Sequence, residues 1–125
     1  MYSGRRPIIP LQFADSPRRA REIIYGLVDT GAQGNRAPAA WGRSLGLDLS
    51  EGKVETFIAG GKRCVGNVHR VRLKVGKCAW EAPVTFSDDW NESFMLLGMV
   101  GFFDRFVVKI DSRDNHTVLT PIKVP

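Results

Sequence analysis

The sequence predicts a mostly β protein organised as one domain, and three observations carry that reading. Short apolar runs are separated at close intervals by Gly, Pro, Asn and Asp, the punctuation of strands and turns. The segment before Gly76 alternates basic residues (Arg70, Arg72, Lys74) with Val71, Leu73 and Val75, the period-two pattern of a strand wet on one face. The length of 125 residues, 43% hydrophobic and 25% charged, is that of an ordinary globular domain able to bury a core. No internal repeat, low-complexity tract or linker divides the chain, so the expected organisation is one domain over residues 1–125.

Taken in order, "PIIPLQF" (7–13) reads as a first strand whose prolines suit a sheet edge. "DSPRR" (15–19) breaks it, and "REIIYGLVD" (21–29) forms the next strand. "PAAWGRSLGL" (38–47) opens on Pro38 and has Gly46 near its end, the signature of one short helix. Residues 53–75 read as two strands around Gly60-Gly61. "CAWEAPVTF" (78–86) is a further strand and "SDDWNES" (87–93) a polar loop. "FMLLG" (94–98) reads as a buried strand, and "MVGFFDRF" (99–106) as one or two helical turns. "FVVKID" and "TVLTPI" flank "SRDNH" (112–116) as a closing hairpin. Trp41, Trp80, Phe86, Phe102, Phe103 and Phe106 are expected in the core or an interface.

Charge and composition exclude several function classes. Lys plus Arg number 18 against 13 acidic residues, giving a net charge of +5. The basic residues are scattered rather than gathered into a patch, and no nucleic-acid motif accompanies them, so a solvated strand face is the expected reading and a basic nucleic-acid-binding β-barrel a rival motivated by charge alone. The apolar stretch around Phe94 to Phe103 is too short to span a bilayer, and no export pattern is visible at the N-terminus. A cytoplasmic setting is the expectation, with Cys64 and Cys78 as free thiols. His69 and His116 lack partners at metal-ligand spacing, and Asp111, Asp114 and Asn115 lack the spacing and glycine of a calcium loop, so no metal and no cofactor is expected. Asp88 and Asp89 are adjacent and point apart on an extended chain, which makes them a loop start rather than a carboxylate pair.

The stretch "GLVDTGAQG" (26–34) holds the chemistry. Desolvating a carboxylate is costly, yet an apolar strand runs straight into Asp29. Thr30 follows with a hydroxyl able to fix the loop, and Gly31 permits a tight turn and close backbone approach. Asp-Thr-Gly alone is also a common surface turn. Here it sits between Leu27-Val28 and Ala32. A glycine-rich hairpin tip at Ile58-Ala59-Gly60-Gly61 and the run Leu96-Leu97-Gly98 follow at suitable places.

In that order of features the sequence resembles the retropepsin-like aspartic proteases, from "PIIPLQF" to the last hairpin. The resemblance implies a closed, β-barrel-like acid-protease fold with a flap hairpin and one or two short helices. It makes Asp29 the catalytic residue, with Thr30 as an interlocking hydroxyl and Gly31 beside it. Ala32, Ile58, Ala59, Gly60 and Gly61 would hold a peptide substrate, and Phe94 and Leu96 would line side-chain pockets. One Asp-Thr-Gly supplies one carboxylate where the chemistry needs two, so the implied solution is a homodimer with Asp29 facing Asp29 across a two-fold axis. The alternative is a catalytically silent relative serving peptide binding or dimerisation. Its motive is the departure at Gln33–Pro38, where relatives carry an apolar pair and this chain has Asn35 and Arg36 after a strand-weakening Gly34. Met99 also stands where relatives often have Arg. These departures bear on the packing beneath the Asp29 loop and on the strength of the dimer, and they leave the Asp-Thr-Gly chemistry intact.

Overall fold

Alternation sets the first strand. In β1 (Ile8–Phe13), Ile9, Leu11 and Phe13 are buried while Ile8 and Pro10 face out. The computed structural model describes residues 7–15 and 22–122; most of the break expected at 15–19 lies outside the described residues. β2 (Ile24–Val28) runs antiparallel to β1, with Ile9 opposite Gly26. Gly26 is where β2 comes close to its neighbours: a Cβ there would lie 2.6 Å from the Leu97 side chain. β3 (Asn35–Pro38) leads into the short helix α1 (Ala39–Ser44), which Pro38 opens.

β4 (Lys53–Ala59) and the long β5 (Lys62–Val75) form an antiparallel hairpin. Val71 and Leu73 are buried and the intervening basic residues exposed, so the period of two decides which face of β5 meets the core. β6 (Cys78–Ser87) returns along β5, and β7 (Met95–Leu97) is fully buried. β8 (Phe106–Asp111) and β9 (His116–Pro121) pair with each other as a separate hairpin.

The main sheet has the order β1-β2-β7-β3-β6-β5-β4, and β1 also pairs with β5 through Gln12 and Phe13. That last pairing closes six strands into a ring and leaves β4 hanging from β5. Closure corrects the expectation that β1 is an edge: it has neighbours on both sides, and Pro10 is tolerated on an outward-facing position. Closure leaves the six ring strands without an open edge that could template further pairing, while β4 keeps one. Inside the ring, Leu11, Phe13, Leu73, Val84, Phe86, Met95 and Leu97 form the core.

One further expectation is corrected, and the segment before α1 takes a definite form. Residues 99–105 make hydrogen-bonded turns rather than an α-helix. Trp80 fixes that segment by donating its indole N–H to the Gly101 carbonyl at 2.7 Å and packing edge-on against Phe106. And Asn35–Pro38 is a strand: it lies parallel to β6 and antiparallel to β7, with Asn35, Arg36 and Ala37 all buried. The loop before β7 holds Asp88 in a two-bond ion pair with Arg43, while Asp89 accepts from the Val65 N–H at 2.9 Å.

Candidate active site

β2 delivers Asp29 to the mouth of a cleft by extending its ladder one residue beyond the strand. β2 and β7 are parallel, and the Asp29 N–H donates to the Leu97 carbonyl at 3.0 Å. The chain then turns: Ala32 N–H donates back to the Asp29 carbonyl at 3.1 Å, and Gly31 N–H donates to the Asp29 carboxylate Oδ1 at 2.8 Å. The backbone thus orients one carboxylate oxygen and leaves the other without a partner among the described residues. Asp29 itself is half-buried and Thr30 is exposed.

Gly98 is fitted against this turn. A Cβ at Gly98 would lie 2.5 Å from the Gly34 carbonyl oxygen and 2.6 Å from that of Ala32, so only glycine lets the two backbones approach. The next two amides continue the contact, Met99 N–H to Ala32 O at 2.9 Å and Val100 N–H to Gln33 O at 3.0 Å.

The β4–β5 hairpin leans over the same cleft. Ala59 faces Lys62 across a two-residue tip in which Gly60 and Gly61 have φ of +59° and +74°. Positive φ at both central residues is the turn that matches strand twist, and glycine adopts it without steric cost. Beneath the hairpin lies a cavity of about 640 Å³. Of the residues singled out in the sequence, Asp29, Gly31, Ala32, Ile58, Ala59, Gly60, Phe94 and Leu96 border it. Thr30 and Gly61 do not.

The sequence reading missed the polar side of this cavity. Arg36 and Glu55 both border it, 19 positions apart in the chain and joined by an ion pair of 3.0 Å between Nη2 and Oε1. The Arg36 guanidinium also donates to the Asn35 carbonyl at 3.2 Å and lies over the Phe57 ring, 4.7 Å from its centroid. Glu55 Oε1 accepts a second hydrogen bond, from Thr85 Oγ1 at 2.8 Å. Burial pushes the Arg36 pKa below the usual arginine value, and Glu55 pushes back in the opposite direction.

Gly34 makes room for this arrangement: a Cβ there would sit 2.6 Å from Arg36 Nη1. Asn35 does different work. Its Oδ1 accepts from Gly98 N–H at 3.0 Å and its Nδ2 donates to Pro83 O at 3.2 Å, tying β6 to the segment behind Asp29. The Gly34-Asn35-Arg36 departure therefore does not loosen the packing under the loop; each residue has a defined place in it. No sequence signal could have paired Arg36 with Glu55, because the contact exists only once β3 and β4 are brought together. Among the described residues no group of three or more His, Cys, Asp or Glu side chains is placed to hold a metal ion.

No family model matches the sequence, and no curated protein matches it. Among solved structures the chain is similar to the crystal structure of a retropepsin-like aspartic protease from Rickettsia conorii. The TM-score is 0.61 at 21% identity, over 83% of this chain and 82% of that one. At this identity the likeness is one of architecture, and it agrees with the closed six-strand ring, the overhanging hairpin and the short helix: the chain has the acid-protease fold.

Proposed function

We propose that this chain is an aspartic endopeptidase, a single retropepsin-like domain that hydrolyses peptide bonds as a homodimer. The observation that carries the reading is Asp29, set by its backbone at the mouth of a cavity roofed by a glycine-tipped hairpin. The fold shared with a structure described as a retropepsin-like aspartic protease supports it. In this reading two Asp29 carboxylates, one from each protomer, share one proton across the dimer axis. The charged one takes a proton from a water as its oxygen attacks the scissile carbonyl carbon, and the protonated one donates to the carbonyl oxygen. The tetrahedral adduct then collapses: the carboxyl that took the water's proton gives it to the amide nitrogen, the other carboxylate takes back a hydroxyl proton, and the C–N bond breaks to leave acid, amine and a dyad with one proton.

Gly31 N–H orients the carboxylate for that exchange. Thr30, exposed in the single chain, is free to reach the second copy. Ala32, Ile58, Ala59 and Gly60 would hold the peptide backbone, with Gly61 completing the hairpin tip outside the cavity border, while Phe94 and Leu96 take side chains. The free thiols Cys64 and Cys78 fit a reducing, cytoplasmic setting.

Peptide cleavage by wild type beside Asp29→Asn tests the proposal. Asn preserves shape but cannot share a proton, so activity should fall to background, and wild-type specific activity should fall on dilution as dimers dissociate. Proteolysis by Asp29→Asn at the wild-type rate, or an active monomer by sedimentation, contradicts it.

A further inference from the structure

We infer that the cavity beneath the hairpin is built to accept a basic side chain of a peptide, with Glu55 as the residue that selects it. The inference rests on the peptidase reading for its substrate class and goes beyond it in naming the side chain. On a chain of net charge +5, the cavity inverts the sign: among the described residues its charged border consists of Asp29, Glu55 and Glu92 against Arg36. Peptide hydrolysis asks for one carboxylate from each chain, so the other two need a separate reason.

Arg36 is not available to a ligand. It is buried, its face is covered by Phe57, and its edges are engaged by Glu55 and the Asn35 carbonyl. Glu55 is held by Arg36 and Thr85 through a single oxygen, Oε1, and its side chain keeps 38% of its exposure. Oε2 has no partner among the described residues. The pair therefore presents a fixed carboxylate with one oxygen still open, braced from behind by its own counter-ion. Such a group favours a side chain that brings donors and positive charge. The apolar part of the border, Leu27, Phe94 and Leu96 among it, suits the aliphatic stem of Lys or Arg. An acidic side chain meets three carboxylates, and an apolar one takes water from Glu55 Oε2 without offering it a donor.

The test uses octapeptides identical except at one position, which carries Arg, citrulline, leucine or Glu, scanned through the central four positions. Citrulline matches Arg in shape and lacks its charge. Cleavage is measured with wild type, and binding with Asp29→Asn so that affinity is read without turnover. At one position Arg should exceed citrulline by about tenfold or more, with Glu poorest, and the margin should narrow as salt screens the exposed Glu92. Glu55→Gln retains an acceptor for Thr85 and removes the charge, so the margin of Arg over citrulline at that position should collapse to a small remainder. A merely structural role for Glu55 would lower all four peptides together.

Equal binding of Arg and citrulline peptides at every position overturns the inference, as does an Arg preference unchanged in both Glu55→Gln and Glu92→Gln, or no binding of any peptide. Cleavage without Arg preference sinks this inference and leaves the peptidase reading standing. Arg-selective binding with no cleavage by wild type does the reverse.

Discussion

Replacing Asn35 by Ala removes a side chain that joins β6 to Gly98, behind the candidate catalytic residue. Asn35 is 1% exposed, and its amide satisfies the buried Gly98 N–H at 3.0 Å and the Pro83 carbonyl at 3.2 Å. A buried polar group left without a partner costs about 1–3 kcal/mol. Gly98 is buried and bears the full penalty, whereas Pro83 is half-buried and recovers part of it from water. The sum is roughly 3 kcal/mol, and at roughly 3–5 °C per kcal/mol for a domain of this size Tm should drop by roughly 10 °C. Urea unfolding followed by tryptophan fluorescence measures this, with the m-value unchanged if the denatured state is unaffected.

Asn35→Asp provides the control. It keeps an acceptor for Gly98, loses the donor to Pro83, and places a carboxyl where burial raises its pKa above the unfolded value of about 3.9. The unfolded chain then releases its proton first, so the penalty is small in acid. It grows by about 1.4 kcal/mol per pH unit above pH ~4 until the folded pKa is reached. The Asp variant should therefore approach wild type near pH 4 and be worst at neutrality, while the Ala deficit stays flat. An Ala variant losing under about 0.5 kcal/mol, or an Asp variant whose deficit ignores pH, would refute the bridge as described.

Two other substitutions probe the hairpin tip and a surface pair. At Gly61, φ is +74° and nothing lies within 4 Å of where a Cβ would stand, so Gly61→Val meets backbone strain alone. It should lose about 1–2 kcal/mol and impair peptide turnover while the fold survives; Gly61→Asn should lose clearly less, and equal losses would count against a left-handed tip. Asp88 is held below the ordinary carboxylate pKa by its hydrogen bonds to Arg43. Its contribution is present above the unfolded pKa and lost as pH falls through the lower folded value. Asp88→Asn should thus trail wild type slightly at neutral pH and match it in strong acid, an effect kept small by exposure. A deficit that persists in acid, in denaturation curves across pH, would assign it to something other than the ion pair.

What the sequence by itself determined is whatever is written in local periodicity and turn chemistry. The alternation of Arg70, Arg72 and Lys74 with Val71, Leu73 and Val75 oriented β5, because side chains on a strand can only alternate faces. Gly60-Gly61 marked a hairpin, because few other residues accept positive φ twice running. Pro38 marked the start of α1, and the apolar run into Asp29 marked a strand that ends on a carboxylate. The tertiary structure alone decided what depends on distant partners. Asn35 and Arg36 looked unfit for a buried strand because polar side chains are costly to desolvate, and the cost is met only by Gly98, Pro83 and Glu55, none of them near in sequence. Residues 99–105 carry apolar residues that would suit a helix, but contacts with Trp80 and with the Asp29 loop hold them in turns. Ring closure is of the same kind: β1 meets β5 across 60 residues of chain, and the packed core together with hydrogen bonds from Ala14 N–H to Arg72 O and from Arg72 N–H to Asp15 Oδ2 fixes that register.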